Sequence, residues 1–294
     1  MQHVAVVTDS SSCLPPELAA AWGIDVVPLQ VVIDGEARAE GDPGLAADVE
    51  AAMRKGFRGT TSQPSIGECL EVLERAASRA PSVVAITLSG SMSGTHGVLQ
   101  RAADQMGNRV TVVDSRTVAL ATGFAALAAA AAARDGAEAD AVAREARRVS
   151  RSALCLFTVD SLEYLRRGGR VSPAVAAMGQ ALMIRPVLGV VAGEIGIVDR
   201  VRTSTRARTA MLDRIGSRAR AFRAPAVGLM RMPSDEAMEA QARATLGLRG
   251  RWPVLSAELS AVLAVHAGPG TLGAVVADVG REVTESFVVP RREV

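Results

Sequence analysis

Val83-Val84-Ala85-Ile86-Thr87-Leu88 runs straight into Ser89-Gly90-Ser91-Met92-Ser93-Gly94-Thr95, and a helix-like segment follows. The apolar run reads as a buried strand, so the unit is strand, polar loop, helix. Repeated along a chain, that unit builds a parallel or mainly parallel sheet. The end of such a strand is also where an open α/β sheet places its ligand. Two other stretches share the loop's chemistry: Thr60-Thr61-Ser62-Gln63-Pro64-Ser65 and Val265-His266-Ala267-Gly268-Pro269-Gly270. The second of these follows 261–265, an apolar run that reads as a further buried strand. All three stretches are rich in hydroxyls, glycines and backbone N–H groups. Together they can hold an anionic head group without a metal, a lysine or a nucleotide loop.

Outward from that centre, the first half of the chain keeps the same alternation. Val4 to Val7 is a strand ending in Thr8-Asp9-Ser10-Ser11-Ser12, and Pro15-Pro16 can open a helix. Residues 24–33 read as strands ending in an Asp34-Gly35 turn. Residues 65–80 read as a helix, with Ser65 as N-cap and Glu68 completing a capping box. Val110 to Val113 is another strand, followed by an alanine-rich helix and a helix over 139–149. The second half differs. A strand at 154–159, a short helix at 161–167 and a helix from Ser172-Pro173 to Met183 precede two strands that flank Ala192-Gly193-Glu194, a hairpin signal. A helix over 204–222 and strands near 226–230, 254–259 and 273–276 complete it. The expected architecture is α/β in two domains. Residues 1–152 form a mainly parallel sheet, and 153–294 an α+β domain with a mixed or antiparallel sheet.

Composition narrows the function classes. The 294 residues carry a net charge of +2, too small to argue for nucleic acid. Basic residues are almost all scattered arginines, with Lys55 the only lysine, and aromatics make up only 3%, which disfavours base-stacking platforms. Cys13, Cys69 and Cys155 lie far apart without metal or redox spacing, as expected of reduced thiols in a cytoplasm. Met1-Gln2-His3 leads directly into a strand, leaving no room for a signal peptide. The longest uncharged stretch, 118–133, is mostly alanine and reads as a buried helix rather than a membrane span.

Each motif also has an ordinary structural reading. The 89–95 loop can bind an anion at a helix N-terminus, or it can simply cap that helix through Ser91 or Ser93. It lacks the G-x-x-x-x-G-K-[ST] pattern of a triphosphate loop. Met92 stands where a nucleophile elbow needs serine. Thr60 to Ser65 can be a helix entry. His266 can be a core histidine bonded to a backbone carbonyl. The histidines His3, His96 and His266 do not have zinc-site spacing. Arg166-Arg167-Gly168-Gly169-Arg170 is either a solvated helix end or a docking surface for phosphate or an acidic partner.

The chain resembles the DegV family, the fatty-acid-binding subunits of the bacterial fatty acid kinase system. The resemblance spans essentially the whole length. Its marks are Val7-Thr8-Asp9-Ser10, Thr61-Ser62-Gln63-Pro64, Ser93-Gly94-Thr95, Val113-Asp114-Ser115, the stretch 162–172, Arg185-Pro186-Val187-Leu188 and His266-Ala267-Gly268-Pro269-Gly270. It implies a long-chain acyl group buried between or within two α/β domains. Thr61 and Ser62 match the first carboxylate loop, Ser93 and Gly94 the second, and His266 the histidine near the carboxylate. Arg170 matches the arginine near the pocket mouth or partner surface. His96 departs from the family pattern, and Arg166, Arg167 and Arg185 replace lysines. The implied protein is a cytoplasmic, non-catalytic carrier of a long-chain fatty acid, without cofactor or metal. It presents the carboxylate to a separate kinase, and the acyl phosphate goes on to lipid synthesis. Transient membrane contact is compatible with this, whereas nucleic acid and a transmembrane segment are not expected. Burying each methylene is worth about 0.8 kcal/mol, so the tail can supply most of the affinity. Met178, Leu182, Met183 and Ile184 are candidates for its lining.

Two other readings stand beside this one. The first is a hydrolase or acyltransferase with Ser93 as nucleophile, His266 as base and Asp114 or Asp9 orienting the histidine. The second is a regulatory sensor of an acidic lipid.

Overall fold

The computed structural model describes residues 3–33, 35–56, 59–172, 175 and 184–287. The first half contains β1 (Val4–Asp9), α1 (Pro16–Ala21), β2 (Ile24–Val27), β3 (Gln30–Ile33), β4 (Glu36–Ala39), α2 (Leu45–Arg54), β5 (Thr60–Ser62), α3 (Ile66–Ala77), β6 (Ser82–Thr87), α4 (Thr95–Gln105), β7 (Val110–Asp114), α5 (Leu120–Arg134) and α6 (Ala139–Ser152). The second half contains β8 (Leu154–Thr158), α7 (Glu163–Arg167), β9 (Arg185–Val191), β10 (Glu194–Val201), α8 (Ser204–Ala219), β11 (Pro225–Arg231), α9 (Glu236–Gly247), β12 (Val254–Glu258), α10 (Ala261–Ala267), β13 (Leu272–Asp278) and α11 (Arg281–Glu285).

β2-β1-β6-β7 form a wholly parallel sheet, as the alternating pattern predicts. The second sheet, β10-β9-β8-β13-β11-β12, is antiparallel except for the β11/β12 pair. A small antiparallel sheet, β4-β3-β5, is an addition that the sequence reading does not contain. It places Thr61 opposite Val31 and Ser62 opposite Gln30. The capping box of α3 forms as expected: Ser65 Oγ accepts the Glu68 N–H, and the Glu68 carboxylate accepts the Ser65 N–H.

Residues 261–265, expected as a strand, are instead helical and make up most of α10. Ser260 Oγ accepts the Leu263 N–H at 3.3 Å and the Glu40 carboxylate accepts the Val262 N–H at 2.8 Å, which satisfies two N–H groups of the helix's first turn. A short apolar run does not by itself distinguish strand from helix, and here the cap decides. The expected helix from Ser172-Pro173 to Met183 lies largely outside the described residues. α2, α9 and α11 are further helices that the sequence reading does not contain.

α5 shows why the alanine-rich stretch is not a membrane span. Leu120, Phe124, Leu127 and the alanines between them are buried, and the helix packs against β1 on one side and β11 and β13 on the other. Small side chains let one helix fit between two sheets. No described helix is long and apolar enough to cross a membrane.

Candidate functional site

A cavity opens between the two large sheets, and all three polar stretches reach it. Thr61, Ser62, Ser93, Gly94, Arg170 and His266 line it together, although the sequence separates them by up to two thirds of the chain. The remaining wall is largely apolar: Leu29, Leu88, Met92, Val118, Phe157 and Ile195 contribute, with Leu259, Val262 and Leu263 on and before α10.

The polar end is built from secondary-structure ends. β5 carries Thr61 and Ser62. The loop after β6 carries Ser93, whose Oγ lies 2.9 Å from Thr95 Oγ1 and accepts the Thr95 N–H at 3.3 Å. Gly94 is the N-cap of α4, so the positive end of that helix dipole faces the site. A Cβ on Gly94 would meet the Gln63 side-chain amide, which packs directly over this glycine and would have to swing aside. Gln63 also lines the cavity and was missed as a site residue, although it sits inside one of the quoted motifs. The end of β6 is in turn tied to the end of β1. Asp9 is fully buried and accepts N–H groups from Ser11 and Leu88. Burial raises its carboxyl to about 6 against the lowering effect of these bonds.

His266 sits in the last turn of α10, with Nε2 2.8 Å from Thr61 Oγ1. Its ring packs so closely on Gly168 that a Cβ there would strike Nδ1. Burial, aided by the charge of Arg170, pushes the imidazole down to about 4, so it is neutral at pH 7. Arg170 donates from Nε to Met92 O at 3.2 Å and from Nη1 to Gly168 O. Burial lowers its pKa, but an arginine remains charged. Among the described residues no carboxylate pairs with it. Its neighbours in the basic turn differ: Arg166 and Arg167 both pair with Glu163. The site thus presents a half-buried cation, hydroxyls, a helix N-terminus and a neutral imidazole at one end of an apolar cavity. That arrangement suits an anion with an apolar body.

The hydrolase reading lacks its relay among the described residues. Ser93 bonds to Thr95 and His266 to Thr61. Asp9 is held by Ser11 and Leu88, and Asp114 by the Gly90 and Arg116 N–H groups. The thiols are inert: burial pushes Cys13 and Cys155 up to about 12 and Cys69 up to about 11. No group of three or more His, Cys, Asp or Glu among the described residues can hold a metal ion. His96 bonds to Thr87 Oγ1 and does not line the cavity. Met178, Leu182 and Met183 lie outside the described residues.

The contribution of α10 was legible in principle. Leu259, Val262, Leu263 and His266 follow the i, i+3, i+4, i+7 spacing of one helix face, and all four line the cavity. The strand reading of 261–265 hid that pattern.

A family model described as "Uncharacterised protein, DegV family" matches residues 3–278. The chain belongs to the DegV family. A DegV domain-containing protein of Streptomyces coelicolor is 37% identical, over 94% of this chain and 98% of its own length. Among solved structures, a DegV family protein from Thermus thermophilus described by its fatty acid binding is 32% identical, with a TM-score of 0.85 over 94% of this chain and 99% of that one. DegV from Bacillus subtilis, described as a fatty acid binding protein, is 27% identical, with a TM-score of 0.84 over 95% of this chain and all of that one (100%).

Proposed function

We propose that this chain is a carrier that buries a long-chain fatty acid and presents its carboxylate to a separate kinase for acyl-phosphate formation. The observation that carries the reading is the pairing of Arg170, which has no carboxylate partner among the described residues, with a cavity that is apolar beyond its polar end. Burying a cation in such a place is costly unless an anion joins it. A fatty acid supplies that anion and fills the remainder with methylenes worth about 0.8 kcal/mol each. The fatty-acid-binding relatives from Thermus and Bacillus support the same ligand class.

In this reading Thr61, Ser62, Ser93 and Gly94 hold the carboxylate, with His266 as a neutral hydrogen-bonding neighbour. Arg170 attracts the head group and faces the kinase. The sequence contains no phosphate-binding loop, so the phosphoryl donor belongs to the partner. The protein acts in the cytoplasm, and 152/153 divides its two domains. Solvent extraction of purified recombinant protein, followed by mass spectrometry, should recover a fatty acid of about fourteen to eighteen carbons in near-stoichiometric amount, because a tail of that length supplies on the order of 10 kcal/mol. An empty protein that also ignores added fatty acids overturns the proposal. Incubating the loaded protein with a family kinase and ATP tests the second half. Failure to form hydroxylamine-reactive acyl phosphate would leave a carrier without the kinase role.

A further inference from the structure

Two buried carboxylates serve the turn that follows β1. Asp9 is wholly buried. One of its oxygens accepts the Ser11 N–H and hydroxyl, and the other the Leu88 N–H at 2.7 Å. Glu40 reaches in from the end of β4. One of its oxygens accepts the Ser10 hydroxyl, and the other the Val262 N–H at 2.8 Å. Ser10 Oγ in turn accepts the Leu29 N–H at 2.9 Å. Leu88, Val262 and Leu29 all line the cavity. Three parts of its wall therefore hang on these two groups: the strand end that opens the 89–95 loop, the helix that carries His266, and the link between β2 and β3.

Neither carboxylate pairs with a cation among the described residues. The charges on the surrounding elements are engaged elsewhere. Arg38 on β4 pairs with Asp48, Glu50 on α2 with Arg54, and Asp25 on β2 with Arg75 and Arg79. Glu68 on α3 is held by Ser65 and Gln30. The only charged residue of α5 is Arg134, which bonds Ala21 O at the far end of that helix. The only titratable residue of α10 is His266, at the end away from Glu40. β3 and β6 carry no charge. The remaining neighbours are thiols, Cys69 near Asp9 and Cys13 near Glu40. Glu40 also lines an open cleft, with Ser10, Cys13 and Ser260. Apart from Arg75, the other charged side chains along that cleft are Glu17, Asp42, Glu68, Glu71 and Glu258. Protons can reach the pair from there, and the field favours their uptake.

Burial pushes Asp9 up to about 6 against the lowering effect of its bonds. Burial raises Glu40 too, and the charge of Asp9 adds to that. A neutral Asn or Gln could accept the same N–H groups without a buried charge. What a carboxylate adds is a bond that is strong when ionised and weaker once protonated. The fold does not depend on that ionisation. The folded value for Asp9 lies above its ordinary 3.8, so its charge opposes folding at neutral pH, and this penalty is relieved as pH falls through 6. Loosening of the site and unfolding of the chain are thus separate events for this group.

We propose that Asp9 and Glu40 are positioning residues that hold the polar end of the cavity in its binding form through Leu88, Leu29 and α10, and that protonating the pair loosens this end and releases the acyl ligand. The inference rests on the fatty-acid reading above. It is tested by loading wild type, Asp9→Asn and Glu40→Gln with palmitate at about pH 7.5 and following transfer to phosphatidylcholine vesicles in steps down to about pH 5. Circular dichroism melts confirm folding. Wild type transfers palmitate roughly tenfold faster at the acid end. Each variant is already faster than wild type at the starting pH and has a flatter profile. Palmitate and His266 take up their own protons in all three proteins, so the difference between profiles belongs to the pair. Wild type alone gives a second reading that no substitution can disturb. The Leu88 amide resonance shifts with a midpoint near 6, because its N–H donates to Asp9. The Val262 amide moves over an overlapping range, because the two carboxylates titrate as a coupled pair. If wild type holds palmitate, and both amides stay still or the folded variants keep its transfer profile, the positioning role is overturned while the carrier reading stands. If wild type holds none at the starting pH, both fall.

Discussion

His266 and Arg170 make the polar end sensitive to charge. In the folded protein the imidazole titrates near 4, below the ordinary value of 6.5, because it is buried and Arg170 is close. A histidine with a depressed folded pKa makes stability fall as pH drops from about 6.5 toward 4, since the unfolded chain takes up a proton that the folded one refuses. A bound carboxylate reverses part of this by favouring the imidazolium. Loading with fatty acid should therefore raise the His266 pKa above 4. Proton NMR titration of the imidazole, assigned with His266→Ala, reads this directly. An identical midpoint in empty and loaded protein would exclude a carboxylate beside the ring. The hydroxyls give a second expectation. In the proposed carrier, Thr61→Ala and Ser93→Ala would each remove a bond to the carboxylate, worth about 1.5–3 kcal/mol, so affinity should drop roughly 10- to 150-fold. The methyl ester, without the charge, should lose much less. Equal losses for acid and ester would move the head group elsewhere. The DegV resemblance singled out these side chains where the residues alone left ordinary helix-entry and core roles open, and folding brings them to one cavity. Gln63 and the close approach of Gly168 to His266 were not legible, because they depend on loops that meet only after folding.

α10 is the element that the sequence reading placed in the wrong class, and the reason is physical. Seven residues with an apolar run satisfy strand and helix patterns alike. The choice falls to Ser260, whose Oγ accepts the Leu263 N–H, and to Glu40, brought in from the end of β4 to accept the Val262 N–H. Glu40 is itself fixed by Ser10 Oγ at 2.5 Å, so the helix start depends on a turn some 250 residues earlier (residue 10 against 260). That long-range partner is invisible in a linear reading. The parallel sheet, by contrast, was legible because β1, β6 and β7 are each a largely apolar run followed by a loop and a helix, whereas β2 runs on into β3. Removing the cap with Ser260→Ala should cost about 1 kcal/mol of stability. Because α10 carries Val262, Leu263 and His266 into the cavity, fatty-acid affinity should weaken as well. Paired denaturant melts and lipid-retention measurements check both. A variant that loses stability but retains lipid as wild type does would show that the cap holds the fold without aiming the site.

Neither half of the molecule contains the cavity alone. Leu29, Thr61, Ser93 and Val118 come from the first half, and Phe157, Arg170, Met230 and His266 from the second. α5 packs against strands of both large sheets, and Arg170 donates to Met92 O across the same seam. A ligand in this place touches both halves at once, so its binding free energy is stability of the whole chain rather than of one part. A ligand that binds only the folded state at 100 times its dissociation constant adds about 2.7 kcal/mol. For a chain of this size that is roughly 4–5 °C in Tm. Delipidated protein titrated with palmitate should therefore melt progressively higher, and both halves should share the shift. Thermal unfolding followed by circular dichroism, with limited proteolysis of each half during the ramp, distinguishes the cases. Protection of the first half alone would mean that the acyl chain does not reach the β8–β13–β11 face. Equal protection of both, lost together in Thr61→Ala, is the outcome expected of a tail that spans the seam.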